Sequence, residues 1–348
     1  MKVEIKPFGQ YEGIDYSEIF ITNKQGTQIS FCDLGARINR WGLQNDKGEY
    51  EQIILGHQNA QEVFDSGSYY GATIGRVAGR IELGQAVIDG QLYQLETNDK
   101  ANHLHGGFDG FDLQKFNFDI IEAADEVRVE FSLYDKAGHN QYPGNLTLKV
   151  TYTYNEQNEW TIDYQATTDA PTIFNPTNHV YFNLNGNNTQ SIENHLLQVH
   201  SDKYMPLKND TIPLGRLEPV GDTVFDLREA VLIGDRVHRP EPQFDYTKGF
   251  DHPWLIDKTV EGPQAIIQLP AKNRRIEMTT TENAVVIYTH GYLTNIKEIW
   301  GQPLLPFAGV TLETQNLPNA INNPLHGDTV LRPEDTFTSR TVYRLVTA

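Results

Sequence analysis

The stretch LTLKVTYTYNEQNEWTIDYQAT, Leu146 to Thr167, decides the fold. Leu146, Leu148, Val150, Tyr152 and Tyr154 alternate with polar residues, and Trp160, Ile162, Tyr164 and Ala166 resume the alternation after the turn-forming NEQNE. Successive side chains of a strand point to opposite faces, so this period of two predicts two antiparallel strands with one face in a core. Working outward, QLYQLETN (91–98), VRVEFSLYD (127–135), HLLQVHSDKY (195–204) and AVVIYTHGYL (284–293) carry the same alternation or the same β-branched and aromatic enrichment. GTQ, YPGN and NGNN supply turns between them. A long amphipathic helix is missing, and AQEVFDSG (60–67) and LREAVL (227–232) are the short helices expected. The pattern predicts an all-β chain, a large antiparallel β-sandwich, rather than alternating βα units.

No charge block, low-complexity segment or Ser/Gly linker divides the chain, and its 17 prolines are spread through loops, so residues 1–348 are read as one domain. The loop-rich region from about 205 to 255 is where a rigid sandwich would carry binding residues. The formal net charge is -18, with no basic run, which argues against nucleic acid and against an anionic membrane surface. One cysteine, Cys32, makes neither an internal disulfide nor a cysteine zinc site. No stretch approaches the ~20 apolar residues of a membrane span, and the start, MKVEIKPFGQ, has no apolar signal region. The expectation is a soluble cytoplasmic protein.

Polar residues break the core pattern at four places. In NPTNHVYFNLNG (175–186), Val180, Phe182 and Leu184 form an apolar face, while His179, Tyr181 and Asn183 form a row too polar for a core. In NHLHGG (102–107), a spacing of two puts His103 and His105 on one face of an extended segment. With Asp109 following, that pair is open to a metal reading, although HxH alone is a weak signal and no HExxH is present. In YYGATIGRVAGRIELG (69–84), Arg76 and Arg80 lie among glycines, and at least one is expected to be tied to nearby carboxylates or backbone. In KGFDHPWLID (248–257) and AGVTLETQNLPNAIN (308–322), Asp251 and Glu313 supply carboxylates, Glu313 sharing a strand face with Thr311. The inventory is an aromatic-lined groove with imidazoles, an arginine and two carboxylates, and it holds no good nucleophile. It suits acid–base work on a neutral polyol.

GRVAGRI, NHLHGG, FNPTNHVYFNL, TVFDLRE, GFDHPW and GVTLETQ stand in the order and context of the aldose 1-epimerases, or galactose mutarotases. The chain resembles that family from LGARINRW (34–41) to LRPEDTF (331–337). The resemblance implies the galactose mutarotase-like sandwich and interconversion of the α and β anomers of free aldohexoses such as galactose and glucose. It implies Glu313 as general base and His179 as general acid. It implies Arg80, His105, Asp251 and Tyr288 at the sugar, Tyr288 as the aromatic beside the ring. It implies no metal and no cofactor, and a monomer or homodimer. His179 would need its proton near neutral pH, which a nearby negative charge would favour. This sequence departs at His290–Gly291, where relatives commonly have Gly-Asn, and at Phe116, where a Trp is frequent. The rival readings are a phosphosugar or disaccharide epimerase of the same superfamily, a glycoside hydrolase using Glu313 and Asp251, a metal-dependent cupin-like enzyme and a non-catalytic sugar-binding module.

Overall fold

The structure, a computed structural model, describes residues 1–45, 47–292, 295–323 and 326–347. The opening hairpin is present as Leu146–Asn155 and Glu159–Thr168, paired antiparallel with Leu148 opposite Ala166 and Tyr152 opposite Ile162. Its turn is set by Asn155, whose side-chain oxygen accepts from the backbone of Gln157 and Glu159, and by Asn158, which takes the left-handed conformation at φ 58°. The face from Leu146 to Tyr154 is fully buried. At roughly 1.5–3 kcal/mol for each large apolar side chain removed from water, that face fixes the register. A slip by one residue would bury Lys149 and Thr151 instead.

These two strands sit inside a nine-stranded antiparallel sheet, flanked by Glu126–Asp135 on one side and the C-terminal strand Phe337–Thr347 on the other. A five-stranded meander over residues 2–52 forms a second sheet. The two share one core, where Trp41 meets Trp160 edge-on at 6.2 Å and Phe31 meets Tyr152 at 4.8 Å. Phe116 lies in the same core, edge-on to Phe111 and Phe131, so its difference from the family is one of packing. The fold is the all-β sandwich expected from the sequence.

Local expectations hold unevenly. Ala60–Ser66 is helical and capped by Asn59, which accepts from the backbone of Glu62. Leu227–Leu232 is not helical. Asp226 accepts from the backbone and side chain of Arg228, a local bond that competes with a helix. Val231–Leu232 then pairs with Leu196–Leu197, and a short helix starts only at Ile233. The strand expected over 284–293 runs Ala284–Tyr288 and gives way to His290 at φ 50°, while Leu293 lies outside the described residues.

A third sheet builds the functional face. Its order is Glu218–Pro219, Lys203–Tyr204, Asp251–Leu255, Ala284–Tyr288, Glu313–Gln315. Residues opposite one another in an antiparallel sheet point the same way. The register therefore stacks three rows on one face: Asp251 with Tyr288, then Pro253 with Val286 and Glu313, then Leu255 with Ala284 and Gln315. Rows are about 7 Å apart, two residues of strand rise. Short pairings bring the other segments to this face, Leu104 opposite Arg80 and Tyr181 opposite Thr311.

Candidate active site

A cavity of about 220 Å³ lies over these rows, and its lining includes Arg80, His105, His179, Asp251, Tyr288 and Glu313. All six candidates from the sequence meet in one place. Burial of ionisable groups around a cleft is costly for a fold and is characteristic of a working site.

At its floor, His179 Nε2 stands 3.3 Å from Glu313 Oε1. The backbone of His179 is clamped to the neighbouring segment, its N–H donating to Ala72 and its carbonyl accepting from Gly71. Its ring is held between Tyr181, stacked at 4.9 Å, and Tyr69, stacked at 5.7 Å. Glu313 is oriented by Thr311, whose hydroxyl donates to Oε1 at 3.0 Å and accepts from the Tyr288 backbone N–H at 3.0 Å. Both members of the pair are almost sealed from solvent, 4% exposed for His179 and 2% for Glu313.

That burial decides where the proton sits. Loss of solvation, with the charge of Asp251 adding to it, pushes the Glu313 carboxyl up to about 8, against weaker opposing effects from Thr311 and Arg80. Burial also pulls the His179 imidazole down to about 3. The sequence reading expected a nearby negative charge to lift the imidazole. In the structure desolvation is the largest influence on both groups, and it favours the uncharged form of each, a protonated carboxyl beside a neutral imidazole.

Around the pair, Arg80 donates through Nε to Asp99 Oδ2 at 2.7 Å and faces Asp251 Oδ2 at 3.9 Å. Burial works against the Arg80 charge, but Asp251 and Asp99 outweigh it and hold it above its ordinary value. Asp251 is itself lifted to about 6 by burial, despite Arg80. His105 Nδ1 accepts from the Gly79 backbone at 3.2 Å, so the neutral ring carries its hydrogen on Nε2 as a donor. Burial holds that imidazole well below its usual range. The Tyr288 hydroxyl accepts from the Tyr292 backbone at 3.1 Å, placing a second aromatic at the rim.

Some sequence expectations are corrected here, while the expectation that one of the two arginines is tied to a carboxylate and backbone holds. His103 and His105 do not share a face. His105 takes φ 50°, which ends the extended segment, and His103 turns away to bond the Glu96 carbonyl at 2.7 Å and the Tyr142 hydroxyl at 2.6 Å. Asp109 is bonded to His139 and Gln114 rather than to either imidazole. Among the described residues no three potential ligands stand close enough together to hold a metal ion. Arg76 is the structural arginine of its pair. It is 1% exposed and bonded to Asp135, Thr172 and three backbone carbonyls. Asn183 is not in the cleft, because its amide ties the Ala308 and Gln190 carbonyls together. His290 lies behind the cleft, bonded through Nε2 to the Tyr70 hydroxyl at 2.7 Å.

Sequence reasoning missed Tyr69 and Gln315, which also line the cleft. Tyr69 opens the glycine-rich stretch that drew attention to its arginines. Gln315 continues the alternation of Thr311 and Glu313 by one more step.

Comparison with known proteins gives the family. The profile of the family described as Aldose 1-epimerase matches residues 17–344. An aldose 1-epimerase of Haemophilus influenzae is 33% identical over 92% of this chain and 93% of its own. A galactose mutarotase of Rattus norvegicus is 32% identical, covering 95% of this chain and 94% of its own. The crystal structure of a galactose 1-epimerase from Lactobacillus acidophilus superposes with a TM-score of 0.89 at 28% identity, covering 100% of this chain and 99% of that one. Fold and relatives define an isomerase built on a β-sandwich. The chain belongs to the aldose 1-epimerase family.

Proposed function

We propose that this chain is a mutarotase of free aldohexoses, galactose and glucose among them, and that Glu313 and His179 carry the reaction. The observation that supports this most is the buried pair itself, an acid and a base 3.3 Å apart at the floor of a sugar-sized cleft. Ring opening of a cyclic aldose removes a proton from the C1 hydroxyl and delivers one to the ring oxygen. Moving the shared proton from Glu313 Oε1 to His179 Nε2 produces the carboxylate and imidazolium that this needs. Glu313 then takes the C1 hydroxyl proton while His179 gives its proton to the ring oxygen as the C1–O5 bond breaks. The aldehyde rotates about C1–C2, O5 attacks its other face, and the protons return with the roles reversed. Each group is expected to contribute roughly 10²–10⁴-fold.

Arg80, His105 Nε2–H and Asp251 would hold the sugar's oxygens, and Tyr288 its apolar C–H face. The groups come from Arg80 to Glu313, so the whole chain works as one unit, and one copy supplies them all, in keeping with a monomer or homodimer. A phosphosugar fits less well. Arg80 is the one Lys or Arg among the described lining residues, and two carboxylates already face it. Polarimetry on freshly dissolved α-D-galactose and α-D-glucose tests the reading. The wild type is expected to accelerate the drift and Glu313→Ala to abolish the acceleration. An active Glu313→Ala would refute the assignment, and release of an aryl leaving group from an aryl glycoside would favour a hydrolase instead.

A further inference from the structure

Gln315 is fully buried, yet it lines the cleft one row beyond Glu313. Both its side-chain oxygen and its side-chain nitrogen lack a hydrogen-bond partner. Buried polar groups are nearly always paired, and one left unpaired carries the full cost of its lost hydration. The rest of the segment obeys that rule. Thr311 bonds Glu313, Thr314 bonds Thr341, Asn316 bonds the Leu317 backbone, and Asn319 bonds the Glu82 backbone. On its own row Gln315 faces Ala284, which packs with Met205, Leu317 and Leu255 in a small apolar cluster. That cluster is apolar, and the cleft is the other surface that Gln315 is known to meet. A carboxamide offers one acceptor and two donors at fixed geometry, and a sugar hydroxyl both donates and accepts. An amide adds no charge beside Glu313, so it can bind a hydroxyl there without further displacing the pair's proton.

We infer that Gln315 is a substrate-binding residue whose carboxamide pairs, as donor and acceptor, with one ring hydroxyl of the sugar. This rests on the mutarotase reading and adds to it a group that discriminates between sugars. Glu313 stands between Gln315 and the row of Asp251 and Tyr288, so the sugar is gripped from both sides of the reacting carbon.

The test pairs Gln315→Met, which keeps the volume and removes the polar atoms, with a panel of 2-, 3-, 4- and 6-deoxy-D-galactose. kcat/KM is measured by polarimetry, and Kd for each sugar by calorimetry on wild type and variant. Gln315→Met is expected to lose about ten- to a hundredfold on galactose. On one deoxy sugar, the one lacking the partnered hydroxyl, wild type and variant should agree within about twofold. An equal loss on every sugar, or no loss on galactose, would overturn the inference. If Gln315→Met does not fold, Gln315→Asn serves, since its amide is one methylene short of the same hydroxyl and should show the same selective pattern. If the wild type binds galactose without mutarotating it, the reaction reading falls, and the Kd panel alone decides on Gln315. If the wild type binds no sugar of the panel, both fall.

Discussion

Replacing Glu313 by Gln should abolish activity and, above mildly acid pH, stabilise the protein. The carboxyl is raised from 4.5 to about 8 in the folded chain, chiefly by burial. A folded state that holds a proton more tightly than the unfolded chain has its full advantage below the unfolded value of 4.5. It loses that advantage as pH rises through the folded value near 8. Each pKa unit is worth about 1.4 kcal/mol. Wild type should therefore fall behind Glu313→Gln by roughly 2–3 kcal/mol between pH 5 and 7, and by roughly 4 kcal/mol by pH 8.5. The depressed imidazole of His179 acts in the opposite sense, costing stability as pH falls below 6.5, but it is present in both proteins and cancels from the difference. Gln keeps the shape and can still accept from Thr311, so lost packing does not confuse the comparison. Urea unfolding of both proteins at pH 5, 7 and 8.5 measures the difference. With an unfolding entropy of about 2.1 cal/mol/K per residue, the change between pH 5 and 7 corresponds to about 3 °C in relative Tm. Stabilities that stay parallel from pH 5 to 8.5 would refute the reasoning. They would mean that the Glu313 carboxyl is already ionised in the folded chain at neutral pH.

Other expectations follow from the same geometry. The pH profile of kcat/KM should fall above about 8, where the pair loses its shared proton, and below about 6, where Asp251 becomes protonated. Asp251→Asn should remove the acid limb and move the alkaline one downward, because the Asp251 charge helps to raise the Glu313 carboxyl. Thr311→Val deletes the donor to Glu313 and the acceptor for the Tyr288 N–H. It should lower kcat more than it raises KM, and it should move the alkaline limb upward, because the hydroxyl's bond lowers the carboxyl. Arg76→Met breaks a buried ion pair with Asp135, at a cost of about 3–5 kcal/mol in a urea titration. It should leave KM unchanged in the fraction that folds. A raised KM with intact stability would place Arg76 in the site.

The sandwich was legible because its central hairpin alternates cleanly, with no polar residue on the buried face from Leu146 to Tyr154. The helix expected at Leu227–Leu232 was not legible, because Asp226 and the pairing of Val231 with Leu197 decide that segment, and composition hides both. The candidate site was legible as residues but only partly as geometry. Alternation linked Thr311 with Glu313, and the structure joins their side chains. Alternation also linked His103 with His105, and failed there, because a left-handed residue parts them. Nothing local separates Arg76 from Arg80, since the partners that do so, Asp135 for one and Asp99 and Asp251 for the other, are distant in sequence. The proton's place on Glu313 is a tertiary property as well. It comes from burial under segments that sequence order does not bring together.

The central claim is that Glu313 and His179 together interconvert anomers. Magnetisation transfer between the two anomeric protons of equilibrated D-galactose measures that exchange without any coupled reaction. The wild type should raise the exchange rate well above buffer, and Glu313→Gln and His179→Gln should each return it to within a few per cent of the buffer value. Exchange that survives in either variant at near wild-type rate would contradict the account.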